Sequence, residues 1–191
     1  RILLTCAVVF MCQTVTAARA LDVSLELILA VDCSSSVEPG EFALQKQGIA
    51  DAFRHPTVVK AISAAAPNGI AITLVQWSGA SAHSQTLGWM RVSDRESAER
   101  AARAIETAPR FLRWGATAIG EAIAYSLTLF EDNGFEGLRK VIDISGDGAS
   151  NQGTFPIYTR EVAAKAGVTV NGLAILNDDP SLDIYYRQQV I

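Results

Sequence analysis

The sequence predicts an α/β fold, a doubly wound, mostly parallel open sheet flanked by helices. Three observations predict it. Four runs, Val23–Val31, Ile70–Trp77, Lys140–Ile144 and Val168–Leu176, are predominantly apolar, as strands buried on both faces require. The segments between them carry apolar residues at helical spacing. No internal repeat, low-complexity tract or linker marks a second domain in the 191 residues. With 49% apolar and 19% charged residues, the composition is that of a chain with a real core, neither disordered nor collagen-like. Sixteen Lys and Arg against twenty Asp and Glu, with no basic run, argue against nucleic acid or an anionic membrane as partner. Two histidines exclude a multi-His metal site.

The first twenty residues read as a signal peptide. Arg1 is followed by uncharged residues to Ala18, with an apolar stretch Ile2–Cys12. Ala18-Arg19-Ala20 is then a small-x-small cleavage site. The stretch falls short of the ~20 residues a spanning helix needs. An uncleaved anchor is the alternative; export to the periplasm or the medium is the expectation. The chain opens on Arg and not Met, so its natural N-terminus is expected to lie upstream. Cleavage after Ala20 removes two arginines, taking the net charge from −4 to −6. It also removes Cys6 and Cys12, leaving Cys33 without a disulfide partner. Neither leader cysteine follows the lipoprotein pattern, so no lipid anchor is expected.

The remaining elements follow in order. Val23–Val31, with Glu26 its lone charge, is the first strand. Phe42, Ile49 and Phe53 mark a helix, and Pro56 ends it or starts the next. Ile70–Trp77 is the second strand, and Gln85–Met90 a short third that pairs with it as a hairpin. Ser93 and Glu96 form an S-x-x-E capping box that opens a helix to about Thr107, closed by Pro109. Ala118 to about Glu131 is helical, with Ile119, Ile123, Leu127 and Phe130 on one stripe and Asn133-Gly134 as its stop. Lys140–Ile144 is the fourth strand, Pro156–Ala166 a helix followed by Gly167, and Val168–Leu176 the fifth strand. Pro180 starts a last helix, which Ile191 interrupts. The domain, residues 21–191, is therefore expected to be truncated before its last strand and helix.

Open α/β sheets bind ligands at the carboxyl ends of their strands, where the strand order reverses. Past the first strand comes Asp32-Cys33-Ser34-Ser35-Ser36, and past the fourth Ser145-Gly146-Asp147-Gly148. Before the long helix comes Gly115-Ala116-Thr117. Asp32, Ser34, Ser36, Thr117 and Asp147 form an all-oxygen set on converging loops. Oxygen donors with few carboxylates suit a hard cation that keeps waters, so Mg²⁺ or Mn²⁺ ahead of Zn²⁺ or a Ca²⁺ cage. Two carboxylates only just neutralise such an ion. It stays electrophilic and favours one more anionic ligand from outside, such as the Asp or Glu carboxylate of a partner.

Asp32-x-Ser34-x-Ser36, Thr117 in Gly-Ala-Thr-Ala-Ile-Gly and Asp147 in Gly-Asp-Gly resemble the metal-ion-dependent adhesion site of von Willebrand factor A-type domains. The resemblance runs from about Leu21 to the end. It extends to a bacterial group of exported proteins with such a domain that share Ile-Ser-Gly-Asp-Gly. It implies that Ser34 and Ser36 bind the metal directly and Thr117 directly or through water. Asp32 and Asp147 are implied to act mainly through waters or as acceptors behind the ligands. The implied strand order is 3-2-1-4-5-6, with Asp32 and Asp147 on either side of the reversal. Gly146 stands where many relatives have Thr. The function implied is a binding module and not an enzyme, engaging an acidic side chain of another protein through Mg²⁺ (or Mn²⁺).

Plainer readings stand beside these. Ser34–Ser36 can serve as a polar turn capping the first helix, and Thr117 as a helix N-cap. Cys33 reads as a small buried side chain ahead of a nucleophile. His55 and His83 read as helix-end and loop residues. No G-x-S-x-G elbow surrounds a serine. Gly115 and Gly120 have P-loop spacing, but Glu121-Ala122 replaces the Lys-Ser/Thr. Gly146-x-Gly148 follows a strand, but Asn151 occupies the third glycine's position of a dinucleotide motif. Trp77, Trp89 and Trp114 read as core or edge packing, with Trp114 facing a partner as its alternative. Rival functions are a scaffold or assembly domain with a structural or vestigial metal site, and a metal-dependent hydrolase. The hydrolase lacks a general base and a positive clamp in these motifs.

Overall fold

The computed structural model describes residues 19–191, so the apolar stretch Ile2–Cys12 and both leader cysteines lie outside the described residues. The elements in chain order are β1 (Leu21–Val23), β2 (Leu25–Asp32), α1 (Pro39–Arg54), α2 (Pro56–Ala64), β3 (Ile70–Trp77) and β4 (His83–Val92). They continue with α3 (Arg95–Thr107), α4 (Ile119–Thr128), β5 (Phe135–Gly137), β6 (Lys140–Gly146), α5 (Pro156–Lys165), β7 (Val168–Ala174) and α6 (Leu182–Tyr185). A π-turn, Tyr186–Val190, closes the described chain.

Side chains alternate across β2, and that alternation sets the architecture. Leu29 and Val31 face one layer with Phe42, Phe53, Ile72, Leu74 and Ile105. Ile28 and Ala30 face the other with Trp77, Ile119, Ile123, Ile142 and Ile144. The five-stranded sheet runs β4-β3-β2-β6-β7, all parallel except the β3–β4 hairpin. This is the expected doubly wound order over the strands present. The chain departs from β2 toward β3 on one side and later returns to β6 on the other. The carboxyl ends of β2 and β6 therefore lie together, with Val31 opposite Ser145.

Several elements differ from expectation. The first strand is two, broken at Ser24, whose N–H donates to Gly69 O at 2.9 Å. The separate β1 pairs with the unexpected short β5. Fully buried Glu26 joins these parts, accepting from Gly137 N at 2.7 Å and from the Asn133 amide. The hairpin strand is longer than predicted, with a register irregularity near Thr73. The N-cap of α3 is Asp94 with Ser97, not Ser93 with Glu96. Buried Ser97 Oγ accepts from both Ser93 N and Asp94 N, which selects the box one residue on. Helix α4 ends at Thr128, ahead of Glu131, and the turn beyond uses Asp132 and Gly134 at positive φ.

Candidate metal centre

Asp32 is the last residue of β2 and fully buried. Its Oδ1 accepts from Ser34 N at 2.7 Å, which folds the chain into a tight turn as it leaves the strand. Its Oδ2 is buried without a hydrogen-bond partner. Burial pushes the Asp32 pKa up to about 7, against the hydrogen bonds from Ser34 and with the Asp147 charge adding to the rise. A carboxylate in this state is stabilised in its charged form by a cation beside it.

The three hydroxyls approach from two directions. Ser34 Oγ and Ser36 Oγ lie 3.2 Å apart, and Ser36 Oγ donates to Asp147 Oδ1 at 2.8 Å. Ser34, Ser36 and Asp147 thus form one chain of polar contacts between the β2 and β6 loops. Glu38, and none of the three serines, caps α1, so the capping alternative is set aside. Thr117 is buried and lies before the start of α4, where Ala118 holds the N-cap position. Its backbone is fixed by Asn151: Thr117 N donates to Oδ1 and Thr117 O accepts from Asn151 N, both at 2.9 Å. Its hydroxyl faces Gly148, where an added Cβ would stand 3.7 Å from Oγ1. Among the described residues no hydrogen bond links Thr117 to the other four.

Three oxygen-rich loops, after β2, before α4 and after β6, therefore lie at the carboxyl end of the sheet with two carboxylates and three hydroxyls. This donor set fits a hard cation, and the orphaned Asp32 Oδ2 is the observation that favours one. No cluster of three or more His, Cys, Asp or Glu side chains suited to a metal occurs among the described residues. Any ion here would depend on hydroxyls and water for most of its shell.

The supporting residues were not foreseen from sequence. Ser35 Oγ accepts from Gly115 N at 2.9 Å and Ser35 N donates to Gly115 O at 3.0 Å, zipping the two loops together. Gly115 has φ +132°, a conformation glycine alone adopts freely. The Arg110 guanidinium donates to the carbonyls of Cys33 (3.2 Å), Ser34 (3.4 Å) and Val37 (2.9 Å) and lies over the Phe42 ring. It holds the serine turn in shape and adds positive charge beneath it. An arginine far along the chain carries no local signature of such a role. Asn151, which sequence reading met only as a missing glycine, holds Thr117.

Other candidates take plainer places. Cys33 and Trp77 are fully buried. Trp89 is half-buried and donates to Leu129 O at 3.0 Å. His55 caps α2, and His83, expected in a loop, begins β4 and stacks on Tyr125. Trp114 is 75% exposed on the loop that Ser35 clamps, so its reading as core or edge packing is corrected.

Comparison with solved structures shows the same fold, the von Willebrand factor A-type α/β sandwich. Proximal thread matrix protein 1 of the mussel byssus, described with a zinc-occupied MIDAS motif, superposes with a TM-score of 0.60 at 21% identity. The match covers 83% of this chain and 37% of that one. An aerotolerance-related membrane protein of Bacteroides fragilis gives 0.56 at 20% identity, over 79% of this chain and 67% of that chain. The pilus adhesin SpaC of Lactobacillus rhamnosus GG gives 0.56 at 12% identity, over 82% and 25%. The chain thus spans little more than a third of the mussel protein's length. No curated protein matches the sequence significantly. A family model does: over residues 22–191 the chain matches the family described as "Protein of unknown function (DUF1194)", and it belongs to that family.

Proposed function

We propose that this protein is an exported, metal-dependent protein-binding module. Ser34, Ser36 and Thr117 would hold Mg²⁺ or Mn²⁺, with Asp32 and Asp147 balancing its charge, directly or through water. The ion supplies one electrophilic position, and an Asp or Glu side chain of a partner protein completes it. The observation that carries this reading is the Ser34–Ser36–Asp147 contact chain beside an orphaned, buried Asp32 oxygen. The rim supports it too. Exposed Trp114 and Arg113 line a cleft with Ser35 of the serine turn, offering an apolar surface and a cation to an acidic segment. A cationic clamp aimed at a substrate, which phosphoryl transfer relies on, is not among the residues of these motifs, and this favours binding over turnover. The likeness in fold to a pilus adhesin and to a matrix protein agrees with a binding role. No helix among the described residues is long and apolar enough to cross a membrane. Residues 1–20 are assigned as the export signal and residues 21–191 as the binding domain.

One observation favours a second reading, an assembly domain that works without metal. An apolar groove between α1 and β7 is lined by Leu44, Ile49, Leu173 and Ile175, with Leu44 and Leu173 exposed. Thermal unfolding with and without millimolar Mg²⁺ or Mn²⁺ separates the two. Metal at 100 times Kd adds about 2.7 kcal/mol. At about 2–4 °C per kcal/mol for a domain of this size, the expected rise is several degrees. The double variant Ser34→Ala, Asp147→Ala should show none. An unchanged midpoint at ten millimolar metal would put the assembly reading ahead.

A further inference from the structure

Beneath Asp32 lies a second orphaned group. Tyr186, in the closing π-turn, is 2% exposed, and its hydroxyl is buried without a hydrogen-bond partner. Two glycines on adjacent strands make room for it. A Cβ on Gly172 of β7 would fall 2.6 Å from Tyr186 Cδ1, so the ring lies flat against the bare backbone there. A Cβ on Gly146 of β6 would fall 2.7 Å from Tyr186 Oη and 2.8 Å from Asp32 Oδ2. The phenol therefore passes over Gly172 and ends above Gly146, where the two unpartnered oxygens face the same small space. Burying two polar groups side by side without partners is unfavourable, and a site of this kind with two polar neighbours suits a bridging water.

We infer that Tyr186 is a positioning residue for the metal centre. Its O–H holds the inner oxygen of Asp32 through one water, which turns Oδ1 toward the serine loop and fixes the carboxylate that balances the ion. This rests on the metal-binding reading above. Groups behind a ligand set orient the carboxylates and imidazoles in front of them, and their loss commonly weakens metal affinity 10–100-fold. The arrangement also gives glycine at 146 a reason: any side chain there would take the place of the phenol's end.

The test measures Mn²⁺ binding to the full chain by electron paramagnetic resonance of the free ion, alongside urea unfolding in EDTA. Three proteins are compared with the natural one: Tyr186→Phe, Gly172→Ala and the double variant. Tyr186→Phe keeps the ring and should bind Mn²⁺ about tenfold more weakly. Its metal-free urea midpoint should fall only slightly, because the ring's packing is kept and a single water-mediated hydrogen bond is lost. Gly172→Ala displaces the ring without touching Asp32, so it should weaken Mn²⁺ comparably, and it should cost little further affinity when added to Tyr186→Phe. Unchanged Mn²⁺ affinity in Tyr186→Phe overturns the inference while leaving the metal site standing. Additive losses in the double variant also overturn it. Absence of Mn²⁺ binding in the natural chain overturns both the inference and the reading it rests on.

Discussion

Cys33 is flanked by Asp32 and Ser34, yet its environment disarms it. The thiol is fully buried in the core, and its hydrogen bond goes to the Val31 carbonyl at 3.8 Å. Burial pushes its pKa up to about 12, and the Arg110 charge nearby does not offset that. Reactive cysteines need thiolate and access, and Cys33 has neither. Alkylation of the native protein at pH 8 followed by peptide mapping should therefore leave Cys33 unmodified, while the urea-unfolded protein is modified fully. Rapid native labelling would show that the turn opens. At this scale the sequence was informative where partners are close along the chain. Asp32, Ser34 and Ser36 sit in one pentapeptide, and the Asp32–Ser34 turn follows from their spacing. Arg110, Asn151 and Tyr186 serve the same site from distant segments, and nothing in their immediate neighbours announces it.

At the scale of elements, legibility followed the strength of the local signal. Ile70–Trp77 is bounded as predicted because both its faces are buried along its whole length. The opening of α3 was misjudged by one residue because Ser93, Asp94, Glu96 and Ser97 are all capable of capping, and burial of Ser97 decides among them. The short β5 has no apolar pattern of its own; the Glu26 carboxylate and β1 create it. The α3 cap has a consequence for acid stability. Hydrogen bonds from the Ser97 hydroxyl and N–H hold the Asp94 pKa below its ordinary 3.8. A carboxylate with a depressed folded pKa stabilises the fold above its unfolded value and loses that contribution as pH falls through the folded one. Urea midpoints of the natural protein should therefore drop as pH falls below about 4, and more steeply than those of Asp94→Asn. Identical slopes would show that folding does not lower the Asp94 pKa.

The whole molecule is two apolar layers sharing one sheet, and the candidate metal centre sits where the sheet's two halves divide. Leu74 faces the layer beneath α1 and α3, and Ile123 the layer beneath α4 and α5. Because β2 and β3 contribute to both layers with alternate side chains, neither layer persists without the other: loss of either strips one face of the same strands. Unfolding is therefore expected as a single transition. Leu74→Ala and Ile123→Ala each remove a fully buried side chain and should destabilise by about 2–5 kcal/mol. On opposite faces of the sheet the two losses should add within about 0.5 kcal/mol. Fluorescence and circular dichroism in urea check this together, since Trp77 reports from one layer and the helices from both. Coincident curves with additive midpoint shifts support a shared sheet as the single cooperative unit. Two separated transitions would mean that the layers unfold apart, and the loops of β2 and β6 that bring Ser36 and Asp147 together would then lose their common support before the rest of the chain.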